Sequence, residues 1–201
     1  MTVARAISRE EMTELPLQRY EGDICVVQTP RDIDRAVADF HGELVVGFDT
    51  ETRPTFKKGD RHLPCLIQAA TARSVYLFRL REPSDCHVPA QMLGAAGILK
   101  VGVGLNDDMR ALRLLHPFEE KSMLDLGSVA RRCGLAQTGV RNLAGIFLKI
   151  RIPKGAQTSN WAAPRLSSAQ IQYAATDAWI CRELFLKFQG LGMITDEASP
   201  E

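Results

Sequence analysis

The sequence predicts an α/β fold in which a mixed central β-sheet is flanked by α-helices. The run 44–48, which is apolar at consecutive positions, and the mostly apolar run 98–102 are typical of strands that are covered on both faces. Two further runs, 63–70 and 75–80, flank a short polar turn and predict a hairpin. Because strands come first and helices follow, with some alternation, the pattern favours one layered domain.

Length and composition fit a single globular domain. The chain has 201 residues, of which 45% are hydrophobic and 24% are charged, so it has enough apolar material for a core. Its 25 basic residues nearly balance its 24 acidic residues, so a polyanion partner must be held by a local patch. We find no secretory signal and no membrane-spanning run, which predicts a cytoplasmic protein without a membrane partner.

Cysteine and histidine residues do not suggest a metal site or a disulfide framework. The five cysteines are widely spaced and form no C-x-x-C pair, which predicts reduced thiols. The four histidines are equally scattered. The oligomeric state is left open by these observations.

Residues 1–22 are predicted to form an N-terminal extension with one short helix, because Ser8 and Glu11 have the spacing of a capping box. The main domain is expected over residues 23–190, starting with a strand at 24–28 and a helix after Thr29. Residues 191–201 are expected to be a C-terminal tail.

The second half of the chain predicts several short elements and one long helix. Ser167 and Gln170 form a capping box for a helix that reaches about Phe188. Asp125 ends a short strand and is expected to cap the next helix rather than to bind metal. The other helices are expected at 88–96, 105–115, 127–133 and 140–148, and an irregular polar loop at 151–165.

Acidic side chains follow the first central strand, which is expected to end at Phe48. Asp49 and Glu51 are two residues apart, so their side chains point to the same face of an extended chain. Two such carboxylates repel each other unless a cation lies between them, and carboxylate oxygens are ligands that Mg²⁺ prefers. Taken alone, however, the pattern is common and favours a solvated strand end.

Two helices add further candidates. Asp108 shares a helix face with apolar residues, whereas Asp107 shares one with Arg110, although a favourable helix dipole would explain either acid. Tyr173 and Asp177 are four residues apart and lie on one face of the long helix. A hydroxyl and a carboxylate on a core-facing side need partners, but a simple hydrogen-bonded tyrosine remains an alternative.

Three segments resemble, in order and spacing, the motifs of the DEDDy group of 3′-5′ exonucleases. They are VVGFDTETRP, KVGVGLNDDMRAL and QIQYAATDAWICRELF. Within that group the chain is most similar to ribonuclease D and to the Werner-type exonuclease domain, from about residue 24 to 188. Gln172 stands where a sister group has histidine, which favours the tyrosine branch.

This resemblance implies a ribonuclease H-like fold and a metal-dependent 3′-5′ exonuclease. Two divalent cations, Mg²⁺ or Mn²⁺, would be held by four acids, with Asp49 bridging both and Asp108 acting through water. The implied metal ligands are Asp49, Glu51, Asp108 and Asp177. Tyr173 would orient the attacking water, and nucleoside 5′-monophosphates would leave the 3′ end of DNA or RNA.

The resemblance does not define the substrate, since the accessory domains of ribonuclease D and the helicase of Werner-type proteins have no counterpart in this sequence. A noncatalytic module that binds nucleic-acid ends is a second hypothesis, and an endonuclease with the same fold is a third. The choice between DNA and RNA also stays open.

Candidate substrate-binding residues lie in the first two motifs and in two polar segments that each carry an aromatic residue. Single-stranded nucleic acid is commonly held by base stacking and by charge along its backbone. The candidates are Thr50, Phe56, Lys57, Lys58, Asn106, Lys154 and Trp161. In the alternative interpretation, Trp161 packs its loop onto the core and the lysines are merely solvated.

Overall fold

The computed structural model describes residues 4–55 and 62–194. Its strands are β1 (Asp23–Val27), β2 (Val45–Thr52), β3 (Pro64–Ala70), β4 (Ser74–Arg79), β5 (Leu99–Gly102) and β6 (Met123–Asp125). Its α-helices are α1 (Arg9–Glu14), α2 (Pro30–His41), α3 (His87–Gly94), α4 (Leu105–Leu115), α5 (Leu126–Arg132), α6 (Val140–Leu143) and α7 (Ser168–Gly190). A 3₁₀ turn (Pro83–Cys86) precedes α3, and a π-helical turn (Ala144–Leu148) follows α6.

The six strands form one mixed sheet in the order β1-β4-β3-β2-β5-β6. The pairs β2–β3 and β3–β4 are antiparallel, as the predicted hairpin requires, and the other pairs are parallel. The mixed sheet expected from the sequence is therefore confirmed. Strand β2 lies at its centre, between an antiparallel and a parallel neighbour.

Local capping signals in the sequence are confirmed by the hydrogen bonds. The hydroxyl of Ser167 accepts from the Gln170 backbone N–H, and the Gln170 side chain accepts from the Ser167 backbone N–H. Ser8 and Glu11 form the same reciprocal pair at α1. Each pair satisfies backbone donors that the first turn of a helix leaves free.

Helix α7 lies directly on one face of the sheet, across β2. A Cβ atom at Gly47 would lie 2.1 Å from the carbonyl oxygen of Ala178, so only glycine allows this approach. Buried alanines of α7, Ala174 and Ala178, belong to the same buried cluster as Leu77 of the sheet. The opposite face is covered by a core that includes Phe40 of α2 and Leu112 of α4.

Strand β2 is longer than the sequence analysis predicts. The expected end at Phe48 is wrong, because β3 continues to pair with residues 49–52 after the parallel pairing with β5 has stopped at Gly47. Asp49 and Glu51 therefore lie within the strand rather than beyond it. Their orientation is fixed by the ladder, where Asp49 is opposite Gln68 of β3.

The expected helix at 140–148 is also wrong in detail, since only its first four residues are α-helical. The π-helical turn that follows contains Gly145, on which Met12 of α1 packs closely. The N-terminal segment then runs beside Arg151, where Leu17 forms a parallel β-bridge. In this way residues 4–20 lie along one side of the domain.

Candidate active site

Three carboxylates from two separate elements meet where α7 crosses β2. One ligand oxygen each from Asp49, Glu51 and Asp177 lies within 4.8 Å of the others. Asp49 and Glu51 share a face of β2, as their spacing predicts, and α7 brings Asp177 against that face. Convergence of acids that are more than 120 positions apart was expected from the resemblance and is found in the structure.

Burial and mutual repulsion make the charged form of these acids unfavourable. Burial raises the pKa of Asp49 well above its usual range, and the nearby Asp177 and Asp108 raise it further. Burial, together with its acidic neighbours, raises the pKa of Glu51 to about 9. A hard divalent cation with oxygen ligands would remove this repulsion, so the donor set fits Mg²⁺ or Mn²⁺.

Asp177 differs from the other two acids in having partners that favour its charge. Burial raises its pKa to about 6, while the Tyr173 hydroxyl and the Arg141 guanidinium oppose that rise. Asp177 is the most deeply buried of the three. Tyr173 and Arg141 therefore make the ionised form of Asp177 less unfavourable than burial alone would.

Asp108 lies beside this cluster but is not part of it. Gly104 adopts a left-handed φ of 81°, which turns the chain from β5 into α4 and places Asp108 in the first turn. Its carboxylate accepts a hydrogen bond of 2.5 Å from the Thr50 hydroxyl. Burial raises the pKa of Asp108 to about 6, although the Thr50 hydrogen bond opposes that rise.

Asp107 and Asp108 differ in exposure and in hydrogen-bond partner. Asp107 is almost fully exposed and pairs with Arg110 at 3.3 Å, one turn further along α4. Asp108 instead faces Thr50 and is close enough to Asp49 to raise the pKa of that carboxyl. Thr50, a candidate substrate-binding residue, thus has its hydroxyl engaged by Asp108.

Tyr173 is buried one helical turn before Asp177, and its hydroxyl lies near that carboxylate. Burial, followed by the charge of Asp177, raises the pKa of the Tyr173 hydroxyl, so it stays protonated at neutral pH. The Trp161 ring lies 6.0 Å from the Tyr173 ring, and Trp161 is fully buried. Its indole has no free face for a base, which supports the alternative that Trp161 packs its loop onto the core.

A basic groove opens between α1 and the residues that follow the π-helical turn. Its volume is about 620 Å³, and its lining includes four basic residues and no acidic residue among those that the structure describes. The four are Arg9, Arg141, Arg151 and Lys154. Arg141 donates to the backbone carbonyls of Ile152 and Pro153, at 2.9 and 3.2 Å, and its charge acts on Tyr173 and Asp177.

Lys154 is a residue of this groove that the sequence predicts, whereas the other three basic residues are not predicted. Arg9 belongs to the predicted N-terminal extension, and Arg141 lies outside all three motifs. No local pattern marks either residue. The groove exists because residues 4–20 return alongside Arg151.

Of the remaining substrate-binding candidates, Asn106 lies within the described residues. Asn106 is exposed and lines a different groove of about 450 Å³ that also contains Arg110. Phe56, Lys57 and Lys58 lie outside the described residues. Asp125 accepts from the backbone N–H groups of Gly104 and Ser128, which confirms the capping role.

Comparison with known proteins decides the family. The family model described as 3′-5′ exonuclease matches residues 24–191. The chain belongs to the 3′-5′ exonuclease family. It is 32% identical to the bifunctional 3′-5′ exonuclease/ATP-dependent helicase WRN of Mus musculus. The alignment covers 89% of this chain and 13% of the mouse protein. The chain is 31% identical to ribonuclease D of Haemophilus influenzae over 70% of its length, which is 35% of that protein.

Solved structures show the same fold for this exonuclease-family chain. The EXO domain of Nibbler from Aedes aegypti aligns with a TM-score of 0.76 at 22% identity, over 87% of this chain and 93% of that one. The ribonuclease H-like fold is thereby confirmed. The chain spans about a third or less of the two curated relatives named above. No helix in the described part of the chain has the length and apolar character needed to cross a bilayer.

Proposed function

We propose that this exonuclease-family chain hydrolyses phosphodiester bonds at the 3′ end of DNA or RNA and releases nucleoside 5′-monophosphates. The observation that carries the proposal is the convergence of Asp49, Glu51 and Asp177 within 4.8 Å. We place the active domain at residues 23–190, with residues 1–22 as an N-terminal extension.

Asp49, Glu51 and Asp177 are proposed as the residues that would hold divalent cations directly. Asp108 lies outside the three-carboxylate cluster and is hydrogen-bonded to Thr50, which suits a contact through water. When bound, a pair of Mg²⁺ or Mn²⁺ ions stabilises the attacking and the leaving oxygens of an in-line displacement. The protein supplies the acidic, largely buried site that fixes their position.

Tyr173 is proposed to hold the attacking water. Its hydroxyl is protonated at neutral pH, so it can accept or donate a hydrogen bond but does not act as the base. Packing against Trp161 limits its movement. A fixed hydroxyl beside the acids orients the water along the line of attack.

The nucleic-acid partner is proposed to lie across the basic groove. Arg141 links the groove to the acids, because its charge acts on Asp177 while its guanidinium is anchored to the chain at Ile152 and Pro153. Four cations without an acidic neighbour in the lining complement phosphates of a single strand. Lys154 and Asn106 remain proposed contacts, as do Phe56, Lys57 and Lys58 beyond the first motif.

The function is tested by digesting 5′-labelled linear DNA and RNA oligonucleotides of matched sequence with Mn²⁺ or with EDTA. We expect a ladder of products shortened from the 3′ end in Mn²⁺ and none in EDTA. A circular single-stranded substrate should stay intact. Binding without shortening would identify the noncatalytic module instead, and cutting of the circle would identify an endonuclease.

Tyr173→Phe is expected to lower kcat by about 10- to 100-fold, because the attacking water loses its orienting hydroxyl while the acids remain. Mn²⁺ affinity should stay close to that of the wild type. Single-turnover kinetics on a 3′-terminal phosphodiester measure the first quantity and calorimetry the second. An unchanged kcat would remove Tyr173 from the reaction.

The metal-free protein is expected to lose stability as pH rises. Carboxyl groups of the unfolded chain titrate near pH 4, whereas the folded pKa is about 6 for Asp177 and about 9 for Glu51. Above about pH 4 the folded state therefore binds more protons than the unfolded chain, and the free energy of unfolding falls with rising pH. This decrease in the free energy of unfolding continues through pH 6, where Asp177 titrates, and ends near pH 9, where Glu51 titrates.

Melting temperatures in EDTA between about pH 5 and pH 9 check this expectation. Mg²⁺ at pH 8 should restore stability, because it binds the deprotonated carboxylates. Asp49→Asn should show a smaller fall, since it removes one of the repelling charges. A melting temperature in EDTA that is flat or rises over this range would contradict the electrostatic account.

Lys154→Glu is expected to raise KM for a single-stranded oligonucleotide by roughly tenfold at low salt with little change in kcat. The reversed charge weakens phosphate binding in the basic groove without touching the acids. Lys121→Glu is the matched control, because Lys121 is exposed and does not line this groove. Equal KM values for Lys154→Glu and Lys121→Glu would argue against binding of the oligonucleotide in the basic groove.

A further inference from the structure

A buried amide lies beside the acidic cluster. Gln68 of β3 is 0% exposed, and neither its Nε2 nor its Oε1 has a hydrogen-bond partner among the described residues. Buried side-chain polar atoms are nearly always hydrogen-bonded, and leaving one without a partner costs about 1–3 kcal/mol. Such an exception in the middle of a sheet requires an explanation.

The register of the sheet places Gln68 next to a proposed metal ligand. Gln68 is directly opposite Asp49 on β2 and Leu77 on β4. Residues that are directly opposite in antiparallel strands share a face and have Cβ atoms about 4.5–5.5 Å apart. Since Leu77 is apolar, the Asp49 carboxylate is the polar neighbour of the Gln68 amide in this row.

The rest of the surroundings give the amide no hydrogen bond. Helix α7 covers β3 on this face, and the buried cluster that contains Leu77 also contains Tyr173, Ala174, Ala175 and Ala178 of α7. The alanines can neither donate nor accept a hydrogen bond, and the Tyr173 hydroxyl makes none with Gln68. An apolar side chain of the same size would therefore suit the folded chain at least as well as glutamine does.

We propose that Gln68 is a positioning residue for Asp49. In the metal-bound protein its Nε2–H group donates a hydrogen bond to the Asp49 carboxylate, directly or through one enclosed water, and holds that carboxylate in one orientation. Hydrogen-bond partners of ligating carboxylates tune metal sites, and losing one typically costs 10- to 100-fold in affinity or activity. The inference rests on the proposed function, because it takes Asp49 as a metal ligand.

The test compares Gln68→Met with Leu77→Met, a matched change on the adjacent strand and the same face. Both full-length variants are melted in EDTA and titrated with Mn²⁺ by calorimetry. We expect Gln68→Met to melt at or above the wild-type temperature and to bind Mn²⁺ about 10- to 100-fold more weakly. Leu77→Met should bind Mn²⁺ as the wild type does. If Gln68 had a purely structural role, its replacement would lower the melting temperature in EDTA together with the Mn²⁺ affinity.

Wild-type Mn²⁺ affinity in Gln68→Met overturns the proposal. A melting temperature in EDTA that falls by more than about 5 °C also overturns it, because the amide would then already contribute over 1 kcal/mol to folding. If Gln68→Met yields no folded protein, Gln68→Leu is put through the same two measurements. A wild-type chain that binds no Mn²⁺ contradicts the proposed function itself, so the two failures are distinguishable.

Discussion

Asp49→Asn and Asp177→Asn are each expected to lower kcat for hydrolysis at a 3′ end by at least about 10³-fold, because loss of a metal ligand forfeits several kcal/mol of transition-state stabilisation. The fold should survive. Each substitution removes a buried carboxylate whose charged form is disfavoured, so the melting temperature in EDTA should be equal to or higher than that of the wild type.

A matched pair on α4 controls for the effect of the substitution itself. Asp108→Asn is expected to lower kcat, whereas Asp107→Asn, at the exposed neighbouring position, should retain wild-type kinetics. Initial rates on a 5′-labelled oligonucleotide in Mn²⁺ measure all four variants. Wild-type turnover in Asp49→Asn or Asp177→Asn would contradict the assignment of these acids.

Gly47→Ala is expected to give the largest loss of stability, about 2–4 kcal/mol. The new Cβ would lie 2.1 Å from the Ala178 carbonyl oxygen and 2.9 Å from the Arg182 backbone nitrogen, so α7 must move away from β2. Because α7 carries Asp177, this movement separates that acid from Asp49 and weakens Mn²⁺ binding as well.

Gly42→Ala at the end of α2 is the control for Gly47→Ala. Its Cβ would meet a single backbone atom at 3.5 Å, which is ordinary contact, and its φ of −89° suits alanine. Chemical denaturation and Mn²⁺ calorimetry on both variants give the comparison. A Gly47→Ala protein as stable as Gly42→Ala would mean that α7 is not held against β2 by this close approach.

Much of the fold follows from local sequence signals. The capping boxes at Ser8 and Ser167 mark the starts of α1 and α7, and the apolar runs mark the strands, because caps and periodic burial act within a few residues. The order of the strands in the sheet and the full length of β2 cannot be predicted from these local signals. Pairing of residues 49–52 with β3 is a long-range interaction that leaves no pattern in β2 itself.

The acids of the candidate site could be predicted because three motifs carry them with recognisable neighbours. Their supporting residues could not. Arg141 reaches Asp177 through a tertiary contact, and Arg9 joins the basic groove only because the N-terminal segment returns beside Arg151. For Gln68 the sequence does hold a signal, since it is the polar residue within the apolar run of β3. Its proximity to Asp49 requires the register of the sheet.

Direct measurement of Mn²⁺ binding tests the central claim, that Asp49, Glu51 and Asp177 together form a divalent-cation site. Electron paramagnetic resonance of free Mn²⁺ is recorded while wild-type protein, Asp49→Asn or Asp107→Asn is added at pH 8. We expect the wild type and Asp107→Asn to deplete the free-ion signal and Asp49→Asn to leave most of it. Equal depletion by all three proteins would contradict the account.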